Sequence, residues 1–243
     1  EYRYRGASPK NYVTFNNETW RIIGVFPTDD GTGKIENRIK LIRNESIGNK
    51  YWNTEEVSST SSYNNWTGAT LQTELNTTYL TGLTNEAQSM ISNAKYYLGG
   101  YKTSYIQKDV MYQYERKISG SDYYYETNPT NWTGKLALMY ASDYGYASSN
   151  CENKKLYDAN SSSNDIRACN TTNWLYNIKV DELLLPQRAS DSSRAFYVRS
   201  VGFVYDVYAS DDQLAVRPVL YLTSSVKIAG GNGTIGSPYK LSI

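Results

Sequence analysis

The chain contains no histidine. That excludes His-based catalytic triads, HExxH zinc sites and every proton relay built on imidazole. Any enzymatic chemistry would have to rest on Cys, Asp, Glu, Lys or Tyr. Cysteine is scarce as well: Cys151 and Cys169 are the only two. Their spacing fits no CxxC redox or zinc motif, and two thiolates without histidine cannot complete a tetrahedral zinc site unless carboxylates join them. No apolar run approaches the roughly 18 residues that a membrane-spanning helix needs. Net charge is nearly absent, with 25 Lys and Arg against 24 Asp and Glu in 243 residues. Such a chain has no general pull toward nucleic acid or an anionic membrane.

Tyrosine is what the chain has in excess: 25 residues, against 4 Phe. Tyr with abundant Ser, Thr and Asn is the makeup of a recognition surface, because Tyr combines rigid contact area with a polar tip. It also suits a β-rich extracellular domain, since Tyr and Thr favour strands. The two cysteines bracket ENKKLYDANSSSNDIRA (152–168), a polar stretch. Two free thiols or one disulfide would both satisfy the count. Isolation in a Ser- and Asn-rich segment favours the disulfide, and with it an oxidising, extracellular or cell-surface location.

NYVTF (11–15), WRIIGVF (20–26) and NRIKLIR (37–43) are β-branched runs broken by turn residues, and read as strands. TDDGTGK (28–34) lies between the last two as a hairpin loop and lacks EF-hand spacing. In ATLQTELNTTYL (69–80), Leu71, Leu75 and Tyr79 recur every four residues and mark a helix face. NEAQSMISN (85–93) is a second helix. Residues 104–118 are a third, with Ile106, Val110, Tyr114 and Ile118 in step. GKLALMY (134–140) returns to strand. FYVRS (196–200), FVYDVY (203–208) and LAVRPVLYL (214–222) read as a three-strand meander, and a last hairpin turns around 230–236. The expected architecture is one α+β domain over 1–243 with a Tyr-rich insertion around 100–130.

Alternation along the meander assigns its faces. Phe196, Val198 and Val204 point to the core. Tyr197, Arg199 and Val201 point outward, joined across the turn by Phe203 and Tyr205, with Arg194, Asp206, Tyr208, Asp211 and Asp212 in or beside the flanking loops. This mixture of Tyr, Phe, Arg and Asp is that of a binding hot spot. Arg217, among apolar neighbours, reads as a structural arginine that ties loops together. Tyr123, Tyr124 and Tyr125, with Tyr112 and Tyr114, read as packing on the domain's own surface. Asp143 and Glu182 are lone carboxylates without the partner that a glycosidase pair needs. No catalytic residue, catalytic metal or organic cofactor is expected; a structural calcium on loop carbonyls and Asp side chains is left open.

Four stretches carry a resemblance: YRYRGASPKNYVTFNNETWRIIGVF (2–26), LALMYASDYGYAS (136–148), NWLY (173–176) and VRPVLYLTSSVKIAGGNGTIGSPYKL (216–241). Together they resemble bacterial surface proteins of C-type lectin-like fold, whose relatives include the variable proteins of diversity-generating retroelements and the formylglycine-generating enzymes. The resemblance implies paired N- and C-terminal strands with two helices on a small sheet. In the retroelement-linked relatives, variation is concentrated near the C-terminus at adenines of AAY codons, which cannot yield Lys, Glu, Gln, Met or Trp. Residues 188–212 contain none of these five, nor Asn. The expected function is an extracellular receptor- or adhesin-type module that binds a protein or glycan on a cell or phage surface, with no nucleic acid as partner and no direct membrane insertion. A structural adhesin or pilus-associated domain is the alternative. A formylglycine-generating enzyme is disfavoured, because Cys151 and Cys169 lack an aromatic-rich basic motif around them.

Overall fold

The structure is a computed structural model that describes residues 1–102, 108–151, 154, 156, 169–177 and 179–243. In chain order its elements are β1 (Tyr2–Arg3), β2 (Tyr12–Phe15), β3 (Glu18–Asp29), β4 (Ile35–Arg43), β5 (Asn49–Lys50), α1 (Thr70–Glu74), α2 (Asn85–Met90), β6 (Ala94–Tyr97), α3 (Lys108–Glu115), β7 (Asn131–Gly134), β8 (Leu136–Ala137), α4 (Ala141–Tyr146), β9 (Glu182–Gln187), β10 (Arg194–Val198), β11 (Val204–Tyr208), β12 (Leu214–Ala215), β13 (Val219–Tyr221), β14 (Lys227–Gly230) and β15 (Lys240–Ser242). The protein is mixed α+β with mostly antiparallel pairing.

The early apolar runs form strands where their β-branched residues place them. In β3 the stretch from Trp20 to Gly24 is buried throughout, because the strand lies inside a six-stranded sheet ordered β1-β3-β4-β13-β8, with β2 also on β3. β3 bulges between Ile22 and Gly24. A Cβ on Gly24 would fall 2.1 Å from the Tyr2 carbonyl oxygen, so only glycine lets β1 approach there. A five-stranded sheet runs β11-β10-β9-β12-β5, and β6-β7 and β14-β15 are two-stranded ribbons. One apolar cluster joins both sheets, from Val13 through Phe196 to Val226.

Helix α1 continues as a π-helical turn at Leu75–Tyr79 and buries Leu71 and Leu75 on the expected face. Thr84 caps α2, its side chain accepting from the Ala87 amide at 3.2 Å. The third helix differs from its expected phase. Its buried side chains are Lys108, Met111 and Glu115, whereas Val110 and Tyr114 are half-buried and Ile118 is exposed; Ile106 lies outside the described residues. The face turns because the Glu115 carboxylate is drawn inward, accepting from the Ser142 amide at 3.0 Å and the Tyr101 hydroxyl at 2.6 Å. The surrounding Tyr-rich stretch packs on the domain: Tyr124 is buried, and Tyr114 meets Tyr123 edge-on at 4.7 Å.

The meander is corrected as well. LAVRPVLYL does not form one strand. Leu214 and Ala215 belong to the five-stranded sheet, whereas Val219–Tyr221 pairs with β4 and β8 in the six-stranded one. Pro218 has no N–H to continue a ladder, so the chain crosses between sheets at Val216-Arg217-Pro218. β10 and β11 do form the expected hairpin, but β9, not β12, lies on the far side of β10. The two ends of the chain meet where Val13 bridges Tyr239 in parallel: the Thr14 amide donates to Tyr239 O at 2.9 Å and the Tyr239 amide to Tyr12 O at 2.8 Å.

Cys151 and Cys169 form a disulfide, with both residues fully buried. It closes an 18-residue separation. Replacing both cysteines by serine is expected to lower unfolding free energy by about 3 kcal/mol, the chain-entropy value for a loop of this size. Urea titration of the paired variant measures this, and an unchanged midpoint would refute it. Among the described residues no helix is long and apolar enough to cross a membrane.

Candidate ligand-recognition surface

The β10–β11 hairpin pairs Arg194 with Tyr208, Phe196 with Asp206, Tyr197 with Tyr205 and Val198 with Val204. One face follows expectation: Phe196, Val198 and Val204 are buried in the core, and the Phe196 ring meets Tyr101 edge-on at 4.8 Å. The opposite face is not simply open. Ala195 is fully buried and Val207 nearly so, and Tyr197 keeps only 9% of its surface. The sheet is covered on both faces over much of its area, so strand parity alone does not separate scaffold from surface. Phe203, expected outward, is only 4% exposed; it lies where the tight turn closes back on the strand, its carbonyl accepting the Arg199 amide at 2.7 Å.

The exposed side chains therefore gather along the rim. Arg199, Val201, Tyr208, Asp211 and Asp212 are exposed, and Arg194 and Tyr205 are half-buried. Tyr197 and Tyr205 meet edge-on at 6.3 Å across the strand pair. Burial pushes the Tyr197 hydroxyl up to about 12, with Asp181, Tyr205 and Asp212 acting in the same direction against Arg199. It is a neutral hydrogen-bonding group at physiological pH.

Asp206, expected in or beside the flanking loops as part of the outward set, is a buried residue of β11. Its two oxygens hold two arginines, Arg188 Nη1 at 2.6 Å and Arg194 Nη1 at 2.8 Å. The Arg194 guanidinium lies over the Tyr208 ring, 3.9 Å from its centroid, and its Nε is 3.4 Å from Asp191. The result is a preformed Arg188–Asp206–Arg194–Tyr208 unit at one end of the rim, with Arg199 and Val201 at the other. Arg188 and Asp191 were missed as members. The only sequence signal for them was that they fall within the 188–212 window; their meeting with Asp206 depends on strand pairing.

The remaining charged residues singled out by sequence are occupied structurally. The Asp143 carboxylate accepts from Lys40 Nζ at 2.5 Å and Arg3 Nη1 at 3.0 Å. Burial would raise its pKa, but Lys40 and Arg3 outweigh that and hold it below the usual carboxylate range. Arg217 grips Glu182 with both ends of its fork, at 2.8 and 2.7 Å, and donates to Leu175 O at 2.9 Å. No family model, curated protein or solved structure matches this chain.

Proposed function

We propose that the protein is an extracellular ligand-binding module of receptor or adhesin type, with a C-type lectin-like fold, whose recognition surface is the rim of the β10–β11 hairpin and its flanking loops. One observation carries the reading. A hairpin whose backbone is packed on both faces presents Arg199, Val201, Tyr205, Tyr208, Asp211 and Asp212 around its edge. Aromatic and arginine anchors on a rigid support are what a hot spot needs, because little ordering entropy is lost on binding. The disulfide and the meeting of the chain's two ends support the compartment and the fold. Its ligand is a protein or glycan of a cell or phage surface, and the 188–212 window is a segment diversified by a retroelement.

The test uses a bacterial glycan array and a panel of intact cells as probes. The triple variant Arg199→Ala, Tyr205→Ala, Tyr208→Ala is expected to lose at least about tenfold in binding relative to wild type, since true hot spots cost more than about 1 kcal/mol each. Arg199→Ala alone is expected to stay within about 0.5 kcal/mol of wild-type stability, and Tyr208→Ala within about 1, given its stacking with Arg194. Equal binding by wild type and the triple variant would overturn the site. Diversification has its own test at the gene: a near-copy of the DNA encoding 188–222, differing at adenines and followed by a reverse transcriptase gene, is expected downstream.

A further inference from the structure

The turn that joins β10 to β11 makes one tight bond pair of its own: the Gly202 amide donates to Arg199 O and the Arg199 amide to Phe203 O, both at 2.7 Å. Its three tip carbonyls turn elsewhere. Ser200 O accepts from the Tyr176 hydroxyl at 2.8 Å, Val201 O from Asn170 Nδ2 at 3.0 Å, and Gly202 O lies 3.0 Å from the Tyr144 hydroxyl. That hydroxyl also lies 2.8 Å from Asn170 Oδ1. The Ser200 amide donates to Asp181 Oδ1 at 2.6 Å, and the Val204 amide, at the start of β11, donates to Leu156 O at 2.8 Å. Gly202 has φ +94°, and a Cβ there would fall 1.7 Å from Asn170 Nδ2, so Asn170 is seated directly against the backbone.

None of these outside partners belongs to the hairpin. Asn170 follows Cys169 directly, and Leu156 comes from the segment that the disulfide closes. Asn173 ties the same region to α4, donating to Tyr144 O at 2.8 Å. By contrast, Arg199 and Val201 at the tip point to solvent.

We propose that Asn170, Tyr144, Tyr176 and Asp181 are positioning residues that set the backbone of the 199–203 turn from outside, and that the Cys151–Cys169 disulfide is the lock that keeps Asn170 and Leu156 in place. The turn's shape is then independent of the side chains it displays. Arg199 and Val201 can be exchanged without altering it, whereas removal of the disulfide loosens it locally. This deepens the recognition reading and rests on it only for the consequence for binding.

Site-resolved amide hydrogen exchange on the intact chain tests the proposal without any ligand, so failure of the recognition reading leaves the result interpretable. The amides to follow are Arg199, Gly202 and Val204, with Ile22 and Leu41 in the six-stranded sheet as the global reference. Tyr176→Phe, Asn170→Ser and the paired Cys151→Ser, Cys169→Ser variant are each expected to speed tip exchange by about tenfold, the equivalent of one lost buried hydrogen bond. The reference amides report global unfolding and should follow each variant's loss of global stability, that from losing the disulfide included, whereas the tip amides exchange by local opening and remain faster than the reference. Arg199→Asp with Val201→Tyr should leave the tip at the wild-type rate. Unchanged tip exchange in Tyr176→Phe and in the paired serine variant would overturn the proposal. So would an acceleration in the Arg199→Asp, Val201→Tyr variant as large as theirs. Tyr176→Phe removes one hydroxyl from a half-buried ring and decides the matter should Asn170→Ser fail to fold.

Discussion

Asp143→Ala is expected to cost about 3–5 kcal/mol of unfolding free energy, the range for breaking a buried ion pair by removing one partner. Lys40 is 1% exposed and Asp143 2%. Lys40 Nζ also sits 4.6 Å from the Tyr140 ring centroid and 5.4 Å from that of Tyr221, so deletion of the carboxylate strands an ammonium among aromatic rings. Arg3, stacked 4.6 Å over Phe26, loses one of its two carboxylate partners in the same step and keeps only Glu1 at 3.2 Å. The Tyr140 amide, which donates to Asp143 Oδ2 at 3.0 Å at the start of α4, loses its acceptor as well. The pH dependence has a definite sign. Lys40 and Arg3 hold the folded carboxyl below its usual value of 3.8. Its contribution is therefore present above the unfolded pKa and is lost as pH falls through the folded one. Urea titrations of wild type and Asp143→Asn should show a wide stability gap at pH 7 that narrows below about pH 4. A gap that does not change with pH would show that the carboxylate's charge contributes nothing.

Arg217→Ala is expected to cost a similar 3–5 kcal/mol, because it leaves the fully buried Glu182 carboxylate without its bidentate partner. The location raises the stakes. Glu182 begins β9 in the five-stranded sheet, and Arg217 lies where the chain crosses to the six-stranded one, so the pair clamps the two sheets at their crossing. Arg217→Lys should recover little, since an ammonium cannot reproduce two parallel bonds to the carboxylate and a third to Leu175 O. The double variant Arg217→Met, Glu182→Leu should be much closer to wild type than Arg217→Ala, as it strands no charge. Equilibrium unfolding of the three variants decides. If the double variant is as unstable as Arg217→Ala, the loss comes from packing at the crossing and not from the unpaired carboxylate.

Local chemistry alone determined a good part of this protein. β-branched runs gave β2, β3 and β4 their places, four-residue spacing gave the α1 face, and the Gly-rich stretch at 230–236 gave the last hairpin, because each depends on neighbours within a few residues. The pairing of Cys151 with Cys169 was legible because there was no other cysteine to choose. The β10–β11 hairpin was legible as a hairpin, and the core direction of Phe196, Val198 and Val204 followed from strand alternation.

Tertiary structure decided what alternation cannot encode. A strand covered on one face obeys parity; β10 is covered on both, so Tyr197 and Ala195 became mostly buried and the exposed set moved to the rim. Phe203 turned inward because a tight turn breaks the alternation that held before it. LAVRPVLYL looked continuous because each half is a good strand, yet Pro218 ended one ladder and the two halves joined different sheets. Asp143 and Glu182 looked alone because their partners, Lys40 and Arg217, lie 103 and 35 residues away. The side chains that hold the 199–203 turn carry no local signature for the same reason. Their hydrogen bonds exist only after β10–β11, α4, Leu156 and the 169–176 stretch have been brought together.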